Sequence, residues 1–272
     1  RHLMALFTGV LILAIILPIS LRIWQAARQA KMQCYRELDD YSNRIVVRTL
    51  QVADQAREAL READAHTASS CSPEHLLMLR RIAYTHRYVQ EVLWLQDSVP
   101  QCSSLEDHSV AVTFPPPDHI ASDGYRTWLT SINDLGLNHQ MTAMASQQHM
   151  VMIDPISFID VVPASEEKIH TMLFGLDHLK MVISSQPLPA KVWQRIKDPH
   201  LNMLTLDNTV YRIQRIPELG SGIVTWSSTL PLQQHIRQQL IFWLPAGIFT
   251  SLLATWLLLR LLRHLRSPRN SM

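Results

Sequence analysis

The chain has 272 residues, 47% of them hydrophobic and 18% charged, with a formal net charge of +2. Those proportions exclude extended disorder, and the near balance of charge offers no surface for a nucleic acid. The apolar residues are concentrated: 3–23 and 240–262 are nearly free of charge, and the stretch between them has the composition of a soluble domain.

At about 1.5 Å per residue, 3–23 would make roughly 32 Å of helix, against a hydrocarbon core of about 30 Å. The run exceeds a signal-peptide core, and no small-x-small cleavage site lies between Pro18 and Ala30. A retained first span is therefore expected, with Pro18 tolerable near its end. A second is expected over 240–262, interrupted by Pro245, Gly247 and Arg260, the last of which can snorkel to the interface. Arg260, Arg263, Arg266 and Arg269 follow with no acid among them, which marks this flank as cytoplasmic. Two spans then put 24–239 on the non-cytoplasmic side and both ends inside. The chain begins with Arg1 rather than Met, so it reads as an excerpt, and 263–272 read as the start of a cytoplasmic linker.

From Trp24 to about His66 there is no Gly or Pro, and Leu38, Ile45, Val52 and Ala59 recur every seven residues. This predicts a long helix, its stripe widened by Tyr41, Thr49, Ala56 and Ala63. The stripe fits a helix lying on its own domain; it also fits a parallel pair in a dimer, although Arg48, Gln55 and Glu62 spoil a strict seam. Ser72-Pro73 has the form of a helix cap, with Leu76, Leu79 and Ala83 continuing one face. Beyond it, strands are predicted over 89–95, 109–114, 150–153, 180–184, 209–216 and 222–226, and shorter helices over 124–135 and 165–173. Helices followed by strands imply an α+β domain with a mostly antiparallel, PAS-like mixed sheet. The sequence shows no internal repeat, and Pro115-Pro116-Pro117 reads as a rigid turn.

Of three cysteines, Cys71 and Cys102 lie within the central domain and are a disulfide candidate in an oxidising compartment. The loop they would close, about 32 residues, is worth roughly 3.5 kcal/mol of chain entropy. Such a bond could be a permanent staple or a redox switch. Cys34, some 16 Å along the helix from the first span, could pair with its twin in a dimer or stay a thiol. The thirteen histidines show no metal-binding spacing and read as scattered surface residues. No serine-nucleophile context, phosphate loop or other catalytic constellation is present, so no catalytic, cofactor-binding or metal-binding residue is assigned within the chain. Asp154 and Asp160 flank an apolar turn after Ile153 and could form a polar ligand contact, but read first as solvated loop carboxylates.

The neighbourhoods Cys71-Ser72 and Cys102-Ser103-Ser104, the helix through Leu76, Leu79 and Ile82, and Met152-Ile153-Asp154-Pro155 together resemble the CSS-motif sensory domain of membrane-bound bacterial cyclic di-GMP phosphodiesterases. The resemblance covers the whole chain, since that family places the domain between two transmembrane helices. It implies a Cys71–Cys102 redox pair, with Ser103 and Ser104 completing the motif, made by the periplasmic thiol-oxidation machinery and answerable to periplasmic proteases. It also implies an inner-membrane location with the bilayer and a second copy as partners. The enzyme would be a cytoplasmic EAL domain using divalent metal (Mg), absent from this chain. The tripeptide Glu58-Ala59-Leu60 lies inside the long helix and is read as coincidence.

Overall fold

The computed structural model describes residues 2–105, 114–131, 140–163 and 168–229, together with 241, 245, 248–250, 252–257 and 260. Two compact units divide the chain: Glu37–Ser227, and a second formed by Arg1–Arg36 with Ser228–Met272. Helix α1 runs His2–Asp64. Side chains within 2–30 are described only at 16, 17, 20, 21, 24, 25 and 27–29. Most side chains of the first expected span and 11 of the 23 residues of the second therefore lie outside the description, and among the described residues no helix is long and apolar enough to cross a membrane.

Within Glu37–Ser227, the heptad stripe behaves as its spacing predicts for a helix packed on its own domain. Leu38, Ile45, Val52 and Ala59 are all buried, as are Tyr41, Thr49, Ala56 and Ala63. Arg48, which spoils a coiled-coil seam, instead donates to the Ser157 carbonyl at 3.0 Å and lies over the Tyr88 ring. Ala59 and Leu60, of the coincidental tripeptide, are fully buried core residues. Helix α2 (Pro73–Thr85) opens on the predicted cap: Ser72 Oγ accepts from the His75 backbone N–H.

The single sheet expected from the sequence is two sheets. The first joins β1 (Val89–Gln96), β2 (Val99–Ser103), β3 (His119–Ile120), β4 (Arg126–Ser131), β5 (Met141–Ala145) and β6 (His149–Ile153) in the order β2-β1-β6-β5-β4-β3. After the short helix α3 (Ile156–Ile159), the second joins β7 (His170–Gly175), β8 (Met181–Ser184), β9 (Met203–Leu206), β10 (Thr209–Ile216) and β11 (Ser221–Ser228) in the order β8-β7-β11-β10-β9. Helix α4 (Ala190–Ile196) lies between β8 and β9 in the chain. Apart from β3, both sheets place their five strands in the same succession, 2-1-5-4-3. The topology is repeated although no repeat is visible in the sequence.

Two expected helices are corrected. Residues 126–131 are strand: Trp128 faces one core and Leu129 the other, a period of two that a helix cannot satisfy. Residues 170–175 are strand for the same reason, with Met172 and Phe174 on one face and Leu173 on the opposite one. The rest of those two predictions, 132–135 and 165–167, and most of the strand expected over 109–114, lie outside the described residues.

One face of each sheet meets α1. Val92, Val151 and Met144 from the first sheet and Leu173, Val182 and Ile223 from the second share a single core with Ile45, Val52, Ala56 and Leu60. The opposite faces carry separate cores, around Trp128 and Met150 in the first sheet and around Phe174 and Trp226 in the second.

Candidate functional site

Cys71 and Cys102 are joined, with Cα atoms 5.8 Å apart and a sequence separation of 31. The bond ties the loop entering α2 to β2. Its two ends differ in environment: Cys102 is buried at 3% exposure in the core shared with α1, whereas Cys71 is half-buried and packs against that core from outside. Cys102 reaches its place through a tight hairpin. Asp97 and Ser98 both adopt positive φ, 54° and 65°, and make the two-residue turn that pairs Gln96 with Val99 and Trp94 with Cys102. Cys71 also sits in the left-handed region, at φ 57°, which costs a non-glycine residue about 1 kcal/mol and needs external support.

The motif serines hold backbone. Ser104 Oγ accepts from the Val92 N–H at 3.0 Å, and the Ser104 N–H donates to the Val92 carbonyl at 2.8 Å. Ser103 Oγ accepts from the Leu105 N–H at 3.0 Å, and Arg80 donates to the Ser104 carbonyl from α2 at 3.2 Å. Together these contacts extend the pairing of β2 with β1 beyond Cys102 and fasten it to the helix that begins beside Cys71.

A group that sequence reasoning missed supports Cys71. Its backbone N–H donates to His75 Nδ1 at 2.9 Å; His75 Nε2 lies 3.3 Å from His149 Nε2; and His149 Nδ1 lies 2.6 Å from Asp64 Oδ1 at the end of α1. Ser146 Oγ donates to the same carboxylate oxygen at 2.9 Å. The two histidines are only 4% and 5% exposed, so the expectation of scattered surface histidines is corrected here. Burial, then the neighbouring His149 and His66, pushes the His75 imidazolium pKa below its ordinary value.

Cys34 is a buried thiol outside the disulfide. Asp154 Oδ1 accepts from the Ile156 N–H at the start of α3, while Asp160 is exposed and 4.0 Å from Arg48; the two do not converge on one site. Among the described residues no three His, Cys, Asp or Glu side chains are placed to hold a metal ion. The second sheet carries an open cleft of about 400 Å³ between β7, β8 and α4, lined among others by Met172, Met181, Leu188 and Trp193 with Ser184 and Gln186.

Comparison with known proteins matches residues 35–240 to the family described as CSS motif domain associated with EAL. The chain is 42% identical over 270 residues to the Escherichia coli (strain K12) protein named Probable cyclic di-GMP phosphodiesterase PdeB, covering 99% of this chain and 52% of that one. The chain thus spans about half the length of that relative. Among solved structures it is similar to the sensor domain of the Vibrio cholerae histidine kinase DctB, with a TM-score of 0.44, 13% identity, and 75% and 98% of the two chains covered. It is also similar to an extracellular ligand binding receptor from Desulfohalobium retbaense, with a TM-score of 0.42, 6% identity, and 72% and 40% covered.

Proposed function

Because the chain belongs to the family of CSS motif domains associated with EAL, we propose that it is the periplasmic input half of an inner-membrane cyclic di-GMP phosphodiesterase, in which the Cys71–Cys102 pair sets the output of a cytoplasmic catalytic half. The disulfide itself carries this reading. It cross-links β2, whose Cys102 packs into the α1 core, to a loop that stays within reach of solvent. Opening it would loosen one wall of α1, and α1 is the element that runs on to the proposed first span.

Two spans, at 3–23 and 240–262, would leave both ends in the cytoplasm. Large apolar side chains that the structure leaves exposed support that placement: Ile16, Leu17, Leu21 and Trp24 near the first, and Phe249, Leu252 and Trp256 in the second. A bilayer would cover them. In this reading the thiol-oxidation machinery and proteases of the periplasm act on the outer domain, a second copy pairs with the chain, and the divalent metal belongs to the catalytic half.

The test uses the longer phosphodiesterase in proteoliposomes. Hydrolysis of cyclic di-GMP is compared between wild type and Cys71→Ala/Cys102→Ala at equal protein level, with thiol state read by alkylation and mass spectrometry. The expected result is a several-fold difference in rate that reduction of the wild type reproduces. Equal rates in the oxidised and reduced wild type and in the double variant overturn it.

The cleft beside α4 favours a second reading, a PAS-like sensor of a small, largely apolar ligand with a purely structural disulfide. It predicts that Trp193→Ala changes the response while the cysteine variant changes only stability.

A further inference from the structure

Hydrogen-bond direction along the chain Cys71–His75–His149–Asp64 is fixed by one group that cannot reverse. A backbone N–H only donates, so His75 Nδ1, which receives the Cys71 N–H, carries no proton. Neutral His75 must then hold its proton on Nε2 and donate it to His149 Nε2. His149 is left with its proton on Nδ1, directed at the Asp64 carboxylate. Every acceptor nitrogen of the two buried rings is already taken by a hydrogen of the protein. A proton added to His149 Nε2 sets two N–H groups against each other across 3.3 Å, and one added to His75 Nδ1 faces the Cys71 N–H. Either addition breaks a link.

Four charged or titratable groups surround the pair. Asp64 comes from α1; His66, from the segment after it, stacks with a ring separation of 6.4 Å from His75; Arg126, from β4, donates to the carbonyls of Ser146 and Gln147 beside His149; and exposed Glu74 precedes His75 in α2. On the β1 side the neighbour is the uncharged edge of Trp94.

We propose that Asp64, His149 and His75 form a proton-operated latch on the Cys71 half of the disulfide, so that acid as well as redox state acts on this element. With both rings neutral, the latch holds Cys71 in its left-handed conformation. With a proton added at its Nδ1, His75 releases the Cys71 amide, the loop relaxes, and the disulfide opens to attack by soluble nucleophiles. The inference goes beyond the redox reading and does not depend on it.

The test is the rate at which a water-soluble phosphine reduces the disulfide of the whole 272-residue chain in detergent micelles. Reduction forms the phosphine oxide and two thiols, which are counted by alkylation and mass spectrometry. Each rate is divided by that of an unstructured disulfide peptide at the same pH, which removes the reagent's own pH dependence. Linkage allows up to about tenfold per pH unit per titrating group, so between pH 7.5 and 5.0 the ratio is expected to rise by at least about fivefold. His75→Asn keeps an acceptor near the Cys71 N–H but does not titrate, and its ratio is expected to stay within about twofold. A wild-type ratio that changes by less than about twofold overturns the latch; so does a rise that persists in folded His75→Asn. These rates do not depend on any phosphodiesterase, so the latch and the redox reading can fail separately.

Discussion

Removing the cross-link gives the most direct measure of what it does for the fold. Cys71 and Cys102 are 31 residues apart, and for a loop of that length the chain-entropy relation gives about 3.7 kcal/mol. Reduction of the wild type removes that constraint alone. Cys71→Ala/Cys102→Ala also removes the Cys102 sulfur from a site 3% exposed, which adds about 1 kcal/mol of lost packing. Against a net stability of about 5–15 kcal/mol for a domain, both forms remain folded in the cold. Urea unfolding in micelles, with and without reductant, reads the difference. With a slope of about 2–3 kcal/mol/M, the midpoint falls by roughly 1–2 M on reduction and slightly further in the double variant. A loss below about 1 kcal/mol in both forms would refute the claim that the bond restrains this part of the chain.

Other outcomes follow from single contacts. Ser104→Ala leaves the Val92 N–H without its side-chain acceptor in a buried strand and is expected to cost about 1–2 kcal/mol while the disulfide still forms, as measured by urea midpoint and alkylation. At Gly222, an added Cβ would stand 2.4 Å from the ring of the fully buried Phe174; Gly222→Ala should therefore destabilise by about 1–3 kcal/mol, and an unchanged melting temperature would show that the ring can move aside. The lowered pKa of His75 fixes a sign for pH dependence. Below about pH 6.5 the unfolded chain binds the proton that the folded chain resists, so stability is full above that pH. It falls by up to about 1.4 kcal/mol per pH unit on acidification, until the folded pKa is reached. A melting temperature that rises from pH 7 to pH 5.5 contradicts this.

The sequence revealed elements whose patterns are local. The α1 stripe, the Ser72-Pro73 cap and the strands β1, β6, β8, β10 and β11 are all where periodicity or capping chemistry puts them. Strand β5, Met-Thr-Ala-Met-Ala, was illegible because it is buried throughout and built largely from residues with little strand preference, so neither alternation nor propensity marks it. Strands β2 and β9 were hidden by their turns. Asp97-Ser98 and Asp207-Asn208 adopt positive φ without the glycine that usually announces such a hairpin. The cysteine pair could be read from counting and context. The latch could not: His75 is 74 residues from His149, which is 85 from Asp64, and only the pairing of β1 with β6 beside α2 brings them together.

The core shared across α1 governs how the unit Glu37–Ser227 comes apart. Two tandem copies of a sheet topology would ordinarily melt in two steps, each on its own core. Here Val92 and Val151 from one copy and Leu173 and Ile223 from the other lean on the same few turns of helix, so neither copy can lose its hold without exposing the wall of the other. The pair should therefore unfold in one transition, and strain introduced at either sheet becomes a load on one common beam.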